Sequence, residues 1–227
     1  MVDVELEEGV ARIFLNRPEK VNALTSELLV SLRETLEKLK GEKALHVAVL
    51  AGRGKAFCGG ADINELRALT AGNAGAFVEK IHLACKAIRE LPAPVVAALH
   101  GAVIGAGLEI AAACDLRVAA EGTRFAMPEV KLAIPSVVEA ALLPRLMGGG
   151  RAAWLVLTGA PIDAQKALQW GLIEEVGDAE PLVQLLLACD RGALQAQKRL
   201  LQLWEEAPLA ASIPRSIEAF AKAHAKG

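Results

Sequence analysis

The sequence predicts an α/β protein, with an alternating strand-and-helix core over about residues 1–135 followed by a helical C-terminal part. Three observations lead there. Short apolar runs that stop at turn residues recur along the first half. Segments with helical spacing of leucines and alanines separate those runs, the order expected of crossover units. After Pro135 the pattern becomes helical almost to the end.

The elements follow in order. "VARIFL" (10–15) and "LHVAVLA" (45–51) read as strands that run into "NRPEK" and "GRGK", and the second is apolar enough to be buried on both faces. Between them "TSELLVSLRETLEKLK" places Leu28, Leu29, Leu32, Leu36 and Leu39 on one helical stripe, with Thr25 or Ser26 as N-cap. A second helix covers roughly 73–91. "PAPVVAALHG" gives a third strand, 105–114 a short Ala-rich helix, and "DLRVAA" a fourth strand. In the C-terminal part, "DAQKALQWG" is a helix closed by Gly171, followed by a strand-like "LIEEV". No internal repeat or low-complexity stretch is present.

Composition narrows the function classes. The chain has 227 residues, 53% of them hydrophobic, enough for one main domain with a substantial core, so helix burial or oligomer formation is expected. No apolar run reaches the roughly 18 residues a membrane span needs. The net charge is −2 and no like-charge cluster reads as a phosphate-tracking face, so neither nucleic acid nor membrane is an expected partner. Cys58, Cys85, Cys114 and Cys189 lie far apart, without a CxxC pair or a metal-ligand spacing, and read as small buried residues of a reducing cytoplasm. The first ten residues do not read as a secretion signal. None of the four histidines (His46, His82, His100, His224) has a recognisable partner.

Two glycine loops and two glutamates carry the chemistry. The second strand ends in "GRGKAFCGGADINEL" and the third in "HGAVIGAGLE", each running through glycines into a helix start with unpaired N–H groups. Such starts could aim one N–H apiece at a shared oxygen, an oxyanion hole, or could simply be tight turns. The spacing in "GAVIGAG" is not that of a dinucleotide loop. Glu109 lies one turn into the second helix among Leu108, Ile110 and Ala111–Ala113, which leave no polar face for it. A lone ionised carboxylate there costs several kcal/mol unless paired or protonated, so a working carboxylate is favoured over a surface complement to the helix dipole. Glu129, after Pro128, has the simpler alternative of opening a helix.

Taken together, these residues resemble the enoyl-CoA hydratase/isomerase (crotonase) superfamily. "LNRPEKVNALT", "KAFCGGADINEL", "HGAVIGAGLEIAAACDLRVAA", "FAMPEVKLAIP" and "LTGAPIDAQKALQWGLIEEV" occur in the family's order over about residues 1–178. The resemblance implies a crotonase-like spiral of ββα units with a helical C-terminal part. It implies assembly as homotrimers or homohexamers, an acyl-CoA substrate, a cytoplasmic enzyme of fatty acid metabolism, and no cofactor or metal beyond the CoA of the substrate. The core is expected over 1–178, helical from about 136, with a shortened helical region over 179–227.

Residue by residue, the resemblance assigns the oxyanion-hole N–H groups to Ala61 and Ala106, the latter standing where many members have Gly. Glu109 and Glu129 match the family's two catalytic glutamates, with Glu109 orienting and deprotonating water and Glu129 serving as acid toward C2 of a trans-2-enoyl-CoA. Lys20, Val21, Ala23, Gly59, Ala61, Asp62 and Ile63 match the CoA channel, Asp62 having the alternative of a helix cap. Two departures stand out. Where hydratases carry "GAGGT" after "AIP", this chain has "SVVEA", one residue closer to Glu129. There Val137, Val138 and Glu139 become candidate acyl-pocket residues that narrow or recharge the pocket, and Glu139 is either a third carboxylate near the chemistry or an exposed helix-start acid. The chain also stops after "AFAKAHAKG", short of the family's last helix and basic tail, so contacts made there are expected to be absent or to come from another subunit. The leading expectation is a hydratase for short or branched enoyl-CoA. An isomerase, another acyl-CoA-processing member and a non-catalytic binding paralogue are the alternatives.

Overall fold

A hairpin starts the chain: β1 (Val2–Glu7) pairs antiparallel with β2 (Val10–Leu15) through Glu8-Gly9, both at positive φ, the mirror-image turn that suits strand twist. The computed structural model describes residues 1–224, so the last residues of the "AFAKAHAKG" tail and the side chain of His224 lie outside it. β1 is absent from the sequence expectations, although Val2, Val4 and Leu6 alternate with acids. Its side chains are partly or fully exposed, so the strand adds little to the core.

Helix α1 (Ser26–Leu39) begins where Thr25 Oγ1 accepts the Leu28 N–H at 3.1 Å, and the expected five-leucine stripe is buried. Each such leucine is worth roughly 1.5–3 kcal/mol against exposure. β3 (Val47–Gly52), α2 (Ile63–Arg67) and α3 (Ala74–Glu90) follow, then β4 (Val95–Leu99), β5 (Ala102–Ile104) and α4 (Ala106–Ala113), then β6 (Leu116–Ala119) and β7 (Arg124–Ala126). Two 3-10 turns, Glu129–Leu132 and Val138–Leu142, lead into α5 (Leu143–Met147), α6 (Gly149–Thr158), β8 (Ile162–Asp163), α7 (Ala164–Trp170) and β9 (Glu175–Val176). Three helices end the described chain: α8 (Glu180–Leu187), α9 (Arg191–Glu206) and α10 (Leu209–His224). The boundary expected after residue 178 falls in the link between β9 and α8.

The large sheet has the order β1-β2-β3-β4-β6-β9 and is parallel except at β1. A second sheet, β5-β7-β8, is extended by a parallel bridge from Cys58 to Val103. Each winding of the chain therefore lays one strand in the large sheet and a short one in the second layer, and a helix usually follows. This is the spiral of ββα units that the resemblance implies. β5, β7 and β8 went unread in the sequence because two or three residues are too few to show alternation.

β3 is buried on both faces, as expected. Ala48 and Leu50 join the main core, while Val47 and Val49 join Val10, Val96 and Val118 under Val183 of α8. Lys198 of α9 ties the C-terminal helices to this core. It is 4% exposed, with Nζ 2.7 Å from Asp115 Oδ2, and it donates to the carbonyls of Ile88 (3.2 Å) and Ala93 (3.0 Å). Burial pushes its pKa below the ordinary lysine value against the pull of Asp115. Cys58, Cys85 and Cys114 are buried thiols as expected, but Cys189 is exposed, since it lies just past the C-cap of α8, at the start of the link to α9. Among the described residues no helix is long and apolar enough to cross a membrane.

Candidate active site

The two glycine loops are zipped together along their backbones. Cys58 N–H donates to Ala102 O (2.9 Å) and Ile104 N–H to Cys58 O (3.1 Å). A Cβ on Gly107 would collide with the side chain and carbonyl of Cys58, so the first turn of α4 can lie against the first loop only with glycine there. This contact makes neighbours of Ala61, just past the first loop's glycines, and Ala106, the first residue of α4. Among the described residues, no backbone carbonyl takes the N–H of either. Helix starts leave such donors free.

The segment 20–24 packs beside this loop. Gly59 N–H donates to Val21 O (2.8 Å), Leu24 N–H to Gly60 O (2.8 Å) and Asp62 N–H to Leu24 O (2.9 Å). The expected CoA-channel residues Lys20, Val21, Ala23, Gly59, Ala61, Asp62 and Ile63 thus form one neighbourhood, with Lys20 and Ile63 exposed. The Asp62 side chain is committed elsewhere: it caps α2 by accepting from Asn64 N–H (2.9 Å) and Glu65 N–H (3.4 Å), and it pairs with Arg17 Nη1 at 2.6 Å. The Arg17 hydrogen bond holds its carboxyl below the usual range. The cap alternative for this side chain is therefore the one the geometry displays. Asn22, fully buried, organises the same corner by donating to Arg53 O and Ala56 O and accepting from Arg17 N–H. Sequence reading gave no role to Asn22, Arg17, Ser136 or His82, although Asn22 and Arg17 lie inside the quoted "LNRPEKVNALT", Ser136 opens "SVVEA" and His82 is one of the four histidines read as lacking a recognisable partner.

The glutamates meet on the other side of α4. Every residue of α4 is buried, and Glu109 is 4% exposed. Its Oε1 accepts the Ala140 N–H at 3.3 Å. Burial first, then the charge of Glu129 and that of Glu139, push its carboxyl up to about 8, against the Ala140 hydrogen bond. Glu129 opens the 3-10 turn after Pro128, and its Oε2 accepts from Ser136 Oγ at 2.9 Å. Its Oε1 rests against Gly105, where a Cβ would stand. The Glu129 carboxylate thus lies at the start of α4, near enough for its charge to act on Glu109.

The three candidate acyl-pocket residues separate. Val137 is exposed, and Val138 packs against the core at a positive φ of 41°. Glu139 is buried, which corrects the exposed-acid alternative: α3 and α4 close over it, and its Oε1 lies 2.7 Å from His82 Nδ1. His82 therefore has a partner that the sequence did not reveal. His100 Nε2 likewise lies 3.1 Å from Gly54 O. No group of three His, Cys, Asp or Glu side chains among the described residues is placed to hold a metal ion.

A family model described as enoyl-CoA hydratase/isomerase matches residues 5–223. YngF of Bacillus subtilis is 39% identical over 171 residues, which cover 74% of this chain and 66%, about two thirds, of that relative. The crotonyl-CoA hydratase of Syntrophomonas wolfei is 35% identical over 79% of this chain and 70% of its own length, and the 1,2-epoxyphenylacetyl-CoA isomerase of Escherichia coli is 35% identical over 78% and 70%. Among solved structures, an enoyl-CoA hydratase from Bacillus anthracis superposes with a TM-score of 0.92 at 31% identity, covering 97% of this chain and 89% of that one.

Proposed function

The chain belongs to the enoyl-CoA hydratase/isomerase family, and from that premise we propose that it hydrates a trans-2-enoyl-CoA thioester to the 3-hydroxyacyl-CoA. The observation that carries this reading is the pair of carboxylates at the start of α4: Glu109 is buried and pushed toward its protonated form, and Glu129 is held by Ser136 and Gly105. Two acids in unlike environments can divide acid and base work between them.

The thioester oxygen sits against the N–H groups of Ala61 and Ala106, and one water sits between the glutamates. In the empty site the pair's proton rests on Glu109. When water binds, that proton passes through it to Glu129. Glu109 then takes a proton from the water as its oxygen bonds to C3, and the electron pair moves onto the thioester as an enolate held by the two N–H groups. Glu129 delivers its proton to C2 as the C2–H bond forms. The cycle closes with the proton again on Glu109, the state the buried site favours. Acid–base catalysis of this kind contributes about 10²–10⁴-fold, and each oxyanion donor roughly 3–4 kcal/mol. These steps use protein groups and water alone, so the reading calls for no metal or redox cofactor.

The 20–24 and 59–63 segments would receive the CoA, mainly through backbone groups. Because Glu139 and Val138 press the 136–140 segment toward α4, short or branched acyl chains fit the reading best. A cytoplasmic homotrimer or homohexamer serving fatty acid metabolism is part of the same reading, and light scattering of the purified protein checks the assembly. The decisive experiment mixes the protein with crotonyl-CoA and follows the loss of enone absorbance. Relatives are named for isomerisation as well, so a 3-enoyl-CoA is run in parallel. Turnover of that substrate without hydration of crotonyl-CoA would overturn the hydratase assignment in favour of isomerisation.

A further inference from the structure

Glu139 is a buried carboxylate that the proposed hydration does not use. Its side chain is 9% exposed, and its Oε2 is sealed without a hydrogen-bond partner among the described residues. Its Oε1 lies 2.7 Å from Nδ1 of His82, a side chain 50% exposed at the surface of α3. The next residue along the same turn, Ala140, donates its N–H to Glu109 Oε1. The turn that carries Glu139 therefore reaches Glu109 twice, through a backbone hydrogen bond and through a carboxylate charge.

We propose that Glu139 is a positioning residue for Glu109, anchored by His82: it fixes the 138–142 turn whose N–H orients Glu109, and its own carboxylate bears on Glu109 from that turn. The groups facing it are few. α3 contributes His82 and Cys85, whose thiol is pushed well above its ordinary value by burial and then by the charges of Glu139 and Glu109. α4 contributes Glu109, and Glu129 bears on Glu109 from the first 3-10 turn. Arg145, the charged residue of α5, is exposed. With Glu139 neutralised, one of the two carboxylates that oppose ionisation of Glu109 is gone, and Glu109 releases its proton at lower pH. Loss of the His82 imidazole leaves Glu139 with only the buried Cys85 thiol as a partner among the described residues. The turn that Glu139 anchors then loosens, and the Ala140 hydrogen bond that favours the ionised form of Glu109 weakens.

The role assigned to Glu109 rests on the hydratase reading, but the coupling can be read without turnover. Protein labelled with ¹³C at the glutamate carboxyl is titrated by NMR, and the Glu109 signal is identified by its absence in Glu109→Gln. The titration is repeated in Glu139→Gln and His82→Ala, alongside the pH profile of kcat/KM with crotonyl-CoA. The expected result is a Glu109 midpoint lower by about half a pH unit or more in Glu139→Gln, whose amide can keep the His82 contact while the charge is gone, and a midpoint higher by a similar amount in His82→Ala, whose turn has lost its anchor, with an alkaline limb that moves with each and a KM little changed. A midpoint that stays in place in either folded variant overturns the proposal. Glu139→Gln puts an amide into a tight site, so if it does not fold, the half-exposed His82→Ala decides. Should the midpoint move while crotonyl-CoA is not turned over, the coupling stands and the hydratase reading fails.

Discussion

Glu129 and Gly105 share one small volume at the start of α4: the carboxylate Oε1 occupies the place of a Cβ, and the Gly105 backbone is at φ 52°. Space and torsion both demand glycine, and the same residue gives Glu129 its approach to Ala106. Gly105→Ala should displace the Glu129 carboxylate, lower kcat by at least about tenfold and cost about 1–2 kcal/mol of stability. Gly150→Ala, in helix α6 with open space around it, is the matched control and should leave activity intact while gaining up to about 1 kcal/mol. Steady-state kinetics and thermal melts on both variants check this.

Glu109→Gln keeps shape and removes the proton carrier. Its kcat on crotonyl-CoA should fall by about 10²–10⁴-fold while KM changes little, since the lost interaction belongs to the transition state. Retention of full activity would remove Glu109 from the mechanism.

The raised carboxyl of Glu109 has two pH signatures. Activity should decline through an alkaline limb near 8, where the pair loses its shared proton. The native state also holds a proton that the unfolded chain releases above about 4.5, so stability falls as pH rises from about 4.5 to about 8 and is level beyond. The loss is of the order of a few kcal/mol. Denaturant melts across this window should show the fall in wild type and a much flatter pH dependence in Glu109→Gln, where the carboxyl is gone.

Ser136 is the donor that holds Glu129 Oε2. Ser136→Ala should cost about 1–2 kcal/mol in transition-state stabilisation, a loss of roughly 5–30-fold in kcat/KM, because a hydrogen bond to a charged group is removed. Ser136→Thr, which keeps a hydroxyl, should recover most of it.

Lys198 tests the seam between the C-terminal helices and the core. Lys198→Met preserves the aliphatic stem but strands Asp115 and two carbonyls, at a cost of about 3 kcal/mol and a melting point lower by roughly 5–10 °C. Calorimetry reads this directly.

Much of this site was legible before the fold. The leucine stripe of α1, the Thr25 cap, the strand buried on both faces and the two glycine loops all follow from local periodicity and backbone chemistry. The isolation of Glu109 among apolar residues announced a carboxylate under stress. The second layer escaped notice because β5, β7 and β8 are too short to show a pattern. Glu139 stayed open between a third carboxylate near the chemistry and an exposed helix-start acid because its burial is made by α3 and α4, which its own neighbours in sequence do not disclose.

Residue order alone established the α/β class and marked the two glycine loops and the stressed Glu109, since these depend on torsions and on spacings of a few residues, while the pairing with Glu129 came from the family resemblance. Folding settled which atoms meet and which carboxyl is pushed up by its surroundings. His82 reaches Glu139 across 57 residues, and Ala140 reaches Glu109 across 31. A carboxylate's charge state depends on the water removed around it and on the charges brought beside it, and both come from segments distant in the chain.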